Sequence, residues 1–162
     1  AMIYEGANGI QALDLVGRKL GQNGGRAVQA FFKEVGEFCE TNRSDEKMAP
    51  YTKALKKGLN DLQAATMWLV QNGMSNPDNA GAASTDYMHL FGLVALGYMW
   101  AQMAKTAQAK LAEGANGAAS FYETKLVTGR YFMERVMPET SAHLARISTG
   151  SETLMKLPAE AF

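Results

Sequence analysis

The segment from Ala82 to Ala112 reads AASTDYMHLFGLVALGYMWAQMAKTAQAKLA, and it decides the fold of this 162-residue chain. It contains no proline, and no Asp, Glu, Lys or Arg occurs from Tyr87 to Ala104. Its apolar residues recur at intervals of three and four, which is the spacing of one helix face. The segment therefore predicts one very long helix in the centre of the structure.

The same segment has to be distinguished from a membrane span, which needs about 20 predominantly apolar residues. Polar residues and glycines interrupt the apolar run, at His89, Gly92 and Gln102 among others. The segment also continues into a polar end that carries Lys105 and Lys110. We therefore expect a buried core helix and no membrane span.

Loops bound this helix on both sides, with GMSNPDN at Gly73–Asn79 and GANG at Gly114–Gly117. Helical spacing of apolar residues recurs over residues 10–20, 28–39, 48–69, 121–136 and 140–147. GQNGG at Gly21–Gly25 separates the first two of these segments, and Ser148–Phe162 forms a tail. No stretch shows the alternation that is typical of a strand. Long helices joined by short loops predict an all-α fold, an antiparallel helical bundle of four long helices with shorter flanking helices.

The residue composition fits close packing of helices. Small residues such as Gly58, Gly92 and Gly97 allow two helices to approach each other closely. The chain has ten methionines, and their flexible side chains can fill irregular gaps in a core. We expect the following ones to be core residues, with a methionine-rich binding surface as the alternative: Met67, Met88, Met99, Met103 and Met133.

The charge balance argues against two classes of binding protein. Lys and Arg together number 16 and Asp and Glu together number 16, so the formal net charge is zero. Nucleic-acid binding and membrane-surface binding both draw on clustered positive charge. The basic residues Lys53, Lys56 and Lys57 lie close to Asp61 in the sequence, and we interpret them as a solvated helix face.

The chain has one cysteine and two histidines, Cys39, His89 and His143, which lie in different predicted helices. A zinc site normally uses three or four ligands, often in close pairs, and this spacing does not match one. We therefore expect no metal site, with His89 in the core or at a helix interface and His143 at the surface. A single cysteine and the lack of an N-terminal signal pattern indicate a reducing, cytoplasmic location.

The N-terminal segment combines an acidic residue with a glycine-rich helix entry, because Glu5 is followed by GANG at Gly6–Gly9. Gly6 allows the backbone to approach a ligand closely, and amides at a helix N-terminus attract an anion. A carboxylate buried beside Ile3 and Tyr4 would acquire the raised pKa of a general base. The alternative is that Glu5 is a solvated residue before a helix.

Three pieces of this region, IYEG at Ile3–Gly6, NGIQ at Asn8–Gln11 and DLVGRKL at Asp14–Leu20, resemble the acyl-CoA dehydrogenase family. The glutamate of this family's motif is the catalytic base, which removes the α-proton of the acyl-CoA thioester while the β-hydrogen leaves as hydride to the flavin. The resemblance assigns that role to Glu5.

The resemblance also implies which neighbours of Glu5 contact substrate and cofactor. Gly6 is expected to lie against the substrate, and Ala7, Asn8 and Gly9 against FAD. The family usually has threonine at the position of Ala7, so one hydroxyl contact to the flavin is expected to be missing.

The rest of the chain is similar to the acetyl-CoA dehydrogenase-like C-terminal extension of larger family members. The segment Arg130–Leu157 resembles the closing segment of a branch that includes 3-methylmercaptopropionyl-CoA dehydrogenases. Residues 1–20 are therefore expected to be the end of the catalytic core and residues 21–162 a C-terminal helical bundle. Since Ala1–Gly6 does not resemble a natural start, we expect Ala1 to be a cloning remnant and the chain to be part of a longer bacterial protein.

The activity that the resemblance implies is FAD-dependent α,β-dehydrogenation of an acyl-CoA, with electrons passing to an electron-transfer flavoprotein. The leading specific substrate is 3-methylthiopropionyl-CoA, with ordinary medium- or long-chain acyl-CoA as the alternative. The chain lacks the family's N-terminal helical and middle β-domains, so alone it is expected to be inactive and to bind no FAD. Its own contribution would be Glu5 and a bundle that forms a subunit interface in a homo-oligomer.

The alternative function is a non-catalytic helical interaction module that binds DNA or associates with membranes. The equal numbers of acidic and basic residues count against DNA binding. Membrane association would need a basic amphipathic helix, and none is convincing in this sequence.

Overall fold

Seven α-helices occur in residues 1–161, the part of the chain that the computed structural model describes. They are α1 (Ala7–Asp14), α2 (Arg26–Thr41), α3 (Ala49–Asn72), α4 (Pro77–Ala112), α5 (Ala119–Tyr131), α6 (Glu139–Ser148) and α7 (Glu152–Met155). No strand occurs in these residues. The predicted all-α fold is therefore confirmed.

Two of the helices continue into a π-helical turn. α1 is extended by Leu15–Lys19 and α5 by Phe132–Val136. After the first of these turns, Asn23 and Gly24 adopt left-handed backbone conformations with φ of 53° and 66°. Residues in this conformation stop a helix, so GQNGG separates α1 from α2 as predicted.

The central helix is α4, against which α1, α3, α5 and α6 all pack. It begins at Pro77, five residues earlier than the predicted start at Ala82. The Asn76 side chain accepts a hydrogen bond from the amide of Asp78 at 3.0 Å, and proline is favoured in the first turn of a helix. Within residues 1–161, none of the helices combines the length and the hydrophobicity of a membrane span.

Glycines bring α3 and α4 close to the turn that precedes α6. A Cβ atom on Gly97 would lie 2.8 Å from the Met137 sulfur, and the space beside Gly58 is filled by the same methionine. The prediction that Gly58 and Gly97 allow close packing is therefore confirmed. The same prediction is wrong for Gly92, which has no neighbour within 4 Å of the Cβ position.

The methionines follow the predicted burial only in part. Met133 is buried, whereas Met67, Met99 and Met103 are 57%, 44% and 38% exposed. Met88 is half-buried. The prediction was wrong for the three exposed residues because they lie on helix faces that no described helix covers.

The C-terminal segment is more structured than the predicted tail. It contains α7 and a 3₁₀ turn at Ala159–Ala161. Ser151 anchors it, since its amide and hydroxyl donate hydrogen bonds to the Asn79 side-chain oxygen at 2.9 and 2.8 Å. Phe162, the last residue of the predicted tail, lies outside the described residues.

Candidate functional site

Glu5 lies in the turn before α1 and is exposed. The neighbouring Ile3 and Tyr4 are 87% and 96% exposed. They therefore do not bury the Glu5 carboxylate within this chain, and the general-base argument from burial has no support in residues 1–161. Glu5 here is the solvated residue of the alternative interpretation, and its assignment as catalytic base stays a prediction.

The backbone after Glu5 forms an open helix N-terminus. Gly6 has a left-handed φ of 69°, and nothing lies within 4 Å of its Cβ position. The amide of Ala7 donates to the Met2 carbonyl at 3.0 Å. The amides of Asn8 and Gly9 belong to the first turn, in which amides have no acceptor within the helix.

The residues that the resemblance assigns to substrate and FAD lie on an open surface. Ala7 is half-buried, whereas Gly6, Asn8 and Gly9 are exposed. A cofactor pocket normally buries most of its ligand. Residues 5–9 alone do not enclose a ligand, and their assignment to substrate and FAD stays a prediction.

A polar cluster that the sequence did not predict joins α4 to α6. The His143 Nδ1 atom lies 2.6 Å from an Asp86 carboxylate oxygen, and the Arg146 Nε atom donates to the same oxygen at 2.8 Å. Burial raises the pKa of Asp86, but hydrogen bonds from Arg146 and His143 outweigh it and hold that pKa below its ordinary value. The cluster links two helices that are far apart in the sequence.

The predicted surface position of His143 was wrong, and His89 lies at the edge of the interface between α4 and α6 and not in the core. His143 is 7% exposed, whereas His89 is exposed. His143 lies on the same face of α6 as the buried Thr140 and Ile147, and this face packs against the bundle. The His89 ring contacts His143 from outside, with 5.6 Å between ring centroids.

The described part of the chain contains no candidate metal site. No group of three or more His, Cys, Asp or Glu residues is placed to hold a metal ion there. Cys39 is buried, and its thiol faces the Thr52 carbonyl at 3.8 Å. Burial raises the pKa of Cys39 to about 11, so the thiol is protonated and a poor nucleophile at neutral pH.

The basic residues on α3 pair with nearby acids. Lys57 donates to Asp61 at 2.8 Å, and Lys56 lies 3.6 Å from Glu40. Asp61 also accepts a hydrogen bond from the Thr140 hydroxyl at 2.8 Å, which ties α3 to α6. These contacts agree with the interpretation of the lysines as a solvated face.

Residues 31–158 match the family described as acetyl-CoA dehydrogenase C-terminal like. The chain belongs to this family. The match begins within α2 and extends beyond α7, so α1 and Glu5 lie before it. The division of the chain at residue 20 therefore stays a prediction.

The chain is similar to the C-terminal regions of three curated acyl-CoA dehydrogenases. It is 32% identical over 161 residues to 3-methylmercaptopropionyl-CoA dehydrogenase of Ruegeria pomeroyi, covering 94% of this chain and 26% of the relative. It is 28% identical over 167 residues to the broad-specificity linear acyl-CoA dehydrogenase FadE5 of Mycobacterium tuberculosis, covering 99% and 27%. It is 25% identical over 165 residues to a butyryl-CoA dehydrogenase of Syntrophomonas wolfei, covering 99% and 26%.

The chain spans about a quarter of the length of these relatives. The comparisons confirm the resemblance to the C-terminal region of acyl-CoA dehydrogenases. They assign no role to individual residues of this chain.

Proposed function

We propose that this chain is the C-terminal part of an FAD-dependent acyl-CoA dehydrogenase and contributes both a catalytic base and an assembly module. The observation that supports the proposal is the family match over residues 31–158, together with relatives that are all named as acyl-CoA dehydrogenases. The natural protein would act in the bacterial cytoplasm, with an electron-transfer flavoprotein as its electron acceptor.

Glu5 is the proposed base that takes the α-proton of the acyl-CoA thioester. Its exposed position before α1 leaves the carboxylate free to enter a pocket made by other domains. Those domains would supply the burial that raises the pKa of a carboxylic acid. Glu5 can then accept a proton at neutral pH, as a general base requires.

Gly6 is the proposed substrate contact, because its open backbone permits close approach. Ala7, Asn8 and Gly9 would hold FAD along the first turn of α1. When bound, FAD supplies the acceptor for the hydride that leaves the β-carbon. Loss of a proton from the α-carbon and a hydride from the β-carbon gives a trans-2-enoyl-CoA.

The proposed substrate is 3-methylthiopropionyl-CoA. The relative with 32% identity is named for the same thioester. Relatives named for linear acyl-CoA and butyryl-CoA are 28% and 25% identical, so medium- and long-chain acyl-CoA is the second candidate. The walls that select an acyl chain would lie outside this chain.

The proposed role of the bundle is to form a subunit interface, and the assembled enzyme is proposed to be a homo-oligomer. On α1, Ile10 and Leu13 are 61% and 49% exposed. Apolar side chains that are exposed next to one another commonly mark an interaction surface. A catalytic core that covers α1 would also position Glu5.

The test is Glu5→Gln in a protein that joins this chain to flavin-binding domains. Turnover should fall by at least about 10²–10⁴-fold, because general-base catalysis contributes that much, while the bound flavin and its spectrum are retained. Flavin bleaching with a panel of acyl-CoA thioesters would identify the substrate. The matched control is Glu123→Gln on α5, which should leave turnover unchanged. Full turnover in the Glu5→Gln protein would contradict the proposed role.

A further inference from the structure

One face of α4 is exposed or half-buried along its whole length in residues 1–161. Its members recur every three or four residues and are exposed or half-buried: Asp78, Gly81, Thr85, Met88, Gly92, Leu96, Met99, Met103, Thr106 and Lys110. We refer to these ten residues as the outer face of α4. The opposite faces of α4 are buried against α1, α3, α5 and α6. A helix that is apolar on all sides is normally buried in a larger structure.

The outer face changes in residue size along its length. Its N-terminal half carries the small residues Gly81, Thr85 and Gly92, with the half-buried Met88 among them. Its C-terminal half carries Leu96, Met99 and Met103, which are 54%, 44% and 38% exposed. One half is therefore a shallow surface and the other is a raised apolar ridge.

Charge on the outer face is confined to its two ends. Asp78 lies in the first turn of α4 and Lys110 in the last turn. They are 32 positions apart, which corresponds to about 48 Å along a helix. The midpoint between them is position 94, which is also where the small half meets the large half.

We propose that a second copy of this chain covers the outer face, with the two α4 helices antiparallel about a two-fold axis near position 94. This inference deepens the proposed homo-oligomer by naming its contact surface. Leu96 would enter the space beside the partner's Gly92, which has no neighbour within 4 Å of its Cβ position. Met103 would lie opposite the partner's Thr85.

The end charges favour this direction of pairing. An antiparallel pair places Asp78 near the partner's Lys110 at both ends. Lys110 already donates to Glu113 at 2.8 Å, and a lysine has further donors for a second carboxylate. A parallel pair would bring together like charges at each end and would oppose glycine to glycine.

The surface next to the ridge extends the contact area. Met99 and Met103 line an apolar groove of about 360 Å³ whose other wall includes Phe121 and Tyr122 of α5. Phe121 is 56% exposed. A stable interface buries about 800 Å² on each partner. Contacts with this groove would add to the area that the two α4 helices bury against each other.

The first test measures the oligomeric state of the 162-residue chain by sedimentation over a range of concentrations. The wild-type chain should dimerise, and Leu96→Glu should weaken dimerisation at least tenfold because it places charge in the apolar contact. The control is Met67→Glu, an exposed methionine on α3, which should dimerise like the wild type. A wild-type chain that stays monomeric, or equal weakening by both variants, would overturn the proposal.

The second test separates loss of the dimer from loss of folding. Gly92→Leu fills the space that Leu96 needs on the partner, so the dimer should be lost. The chain itself should become more stable, with a higher Tm, because leucine favours a helix more than glycine does. Unchanged dimerisation of Gly92→Leu would contradict the antiparallel register.

A charge exchange tests the direction of pairing. Asp78→Lys alone should weaken the dimer, and adding Lys110→Asp should restore it, with both effects reduced at high salt. No restoration would rule out the antiparallel pair. The dimer does not depend on Glu5, so Glu5→Gln should leave it intact. Failure of the proposed dimer can therefore be distinguished from failure of the proposed catalytic role of Glu5. If the outer face becomes buried only when flavin-binding domains are attached, those domains cover it and a second copy of this chain does not.

Discussion

α1 and α6 are two short helices that pack against α4, but they are attached in different ways. α1 has eight residues and buries only Ala12. α6 has ten residues and buries Thr140, His143 and Ile147. It is also tied to α4 through Asp86 and to α3 through Asp61. α6 therefore belongs to the stabilising core of the bundle, whereas α1 rests on its surface.

The difference in burial between α1 and α6 indicates that different parts of the chain serve stability and the proposed catalysis. Residues that stabilise the bundle point inward from α2 to α6, while the segment proposed for catalysis comes just before a helix that buries one residue. Elements that take part in binding are commonly those of low local stability. Three comparisons between matched residues can test this division.

The largest difference should come from removing the same side chain on the two helices. Ile147 is 1% exposed on α6, and Ile10 is 61% exposed on α1. Ile147→Ala should lower the free energy of unfolding by about 2–5 kcal/mol, because it leaves a cavity. Ile10→Ala should change it by less than about 0.5 kcal/mol. Urea denaturation of both variants measures the difference, and equal losses would mean that α1 is a full part of the core.

The next difference concerns the turn that leads into α6, where Met137 packs beside Gly97. Gly97→Ala would crowd the Met137 sulfur, since the Cβ position lies 2.8 Å from it. Within a single chain, Gly92→Ala adds the same methyl group to α4 with no neighbour within 4 Å, so the two variants are compared at concentrations where the chain is monomeric. Both gain helix propensity, so the unfolding free energies of the two variants should differ by about 1–3 kcal/mol, with Gly97→Ala lower. Equal thermal stability would show that Met137 moves aside without cost.

The smallest difference should be in the dependence of stability on pH. The pKa of Asp86 is lowered from 3.8 in its cluster with α6, and the pKa of Asp14 on α1 is lowered to about 2 by hydrogen bonds from Arg18 and Lys19. A carboxylate with a lowered pKa stabilises the folded state above its unfolded pKa, and this stabilisation is lost as the pH falls towards the folded pKa.

Asp86→Asn should therefore lower stability at pH 7 by about 1 kcal/mol and flatten the decline of stability below pH 3.8. Asp14→Asn should have less effect at pH 7, because Asp14 pairs within α1 and its partner Arg18 is 68% exposed. Thermal unfolding of both variants across acidic pH measures this. A larger pH effect for Asp14→Asn would reverse the order expected for the two helices.

The sequence predicted the helices well because their signals are local. Helical spacing placed α2, α3, α5 and α6, and the glycine-rich segments marked where α1 and α4 end. The start of α4 was misplaced because Asn76 and Pro77 were interpreted as loop residues, although together they cap and begin a helix.

The polar cluster at α6 was missed because its partners are distant in the sequence. Asp86 and His143 are 57 positions apart, and no local pattern connects them. The spacing of His143 and Arg146 along one helix face was the available signal. The same limit explains why His143 was expected at the surface, since burial depends on which neighbouring helix covers a position. The assignment of Glu5 came from a family motif, and it still depends on the turnover experiment.

The burial of Cys39 gives this chain a built-in reporter of local opening. The single thiol lies between α2 and α3 and is 5% exposed. A thiol reagent should therefore modify it much more slowly in the folded chain than after α2 separates from α3 or the whole chain unfolds. The rate of labelling under native conditions would report on those events without a substitution in the chain. Comparison of that rate in the presence and absence of flavin-binding domains would show whether assembly tightens a part of the bundle remote from Glu5 in the sequence.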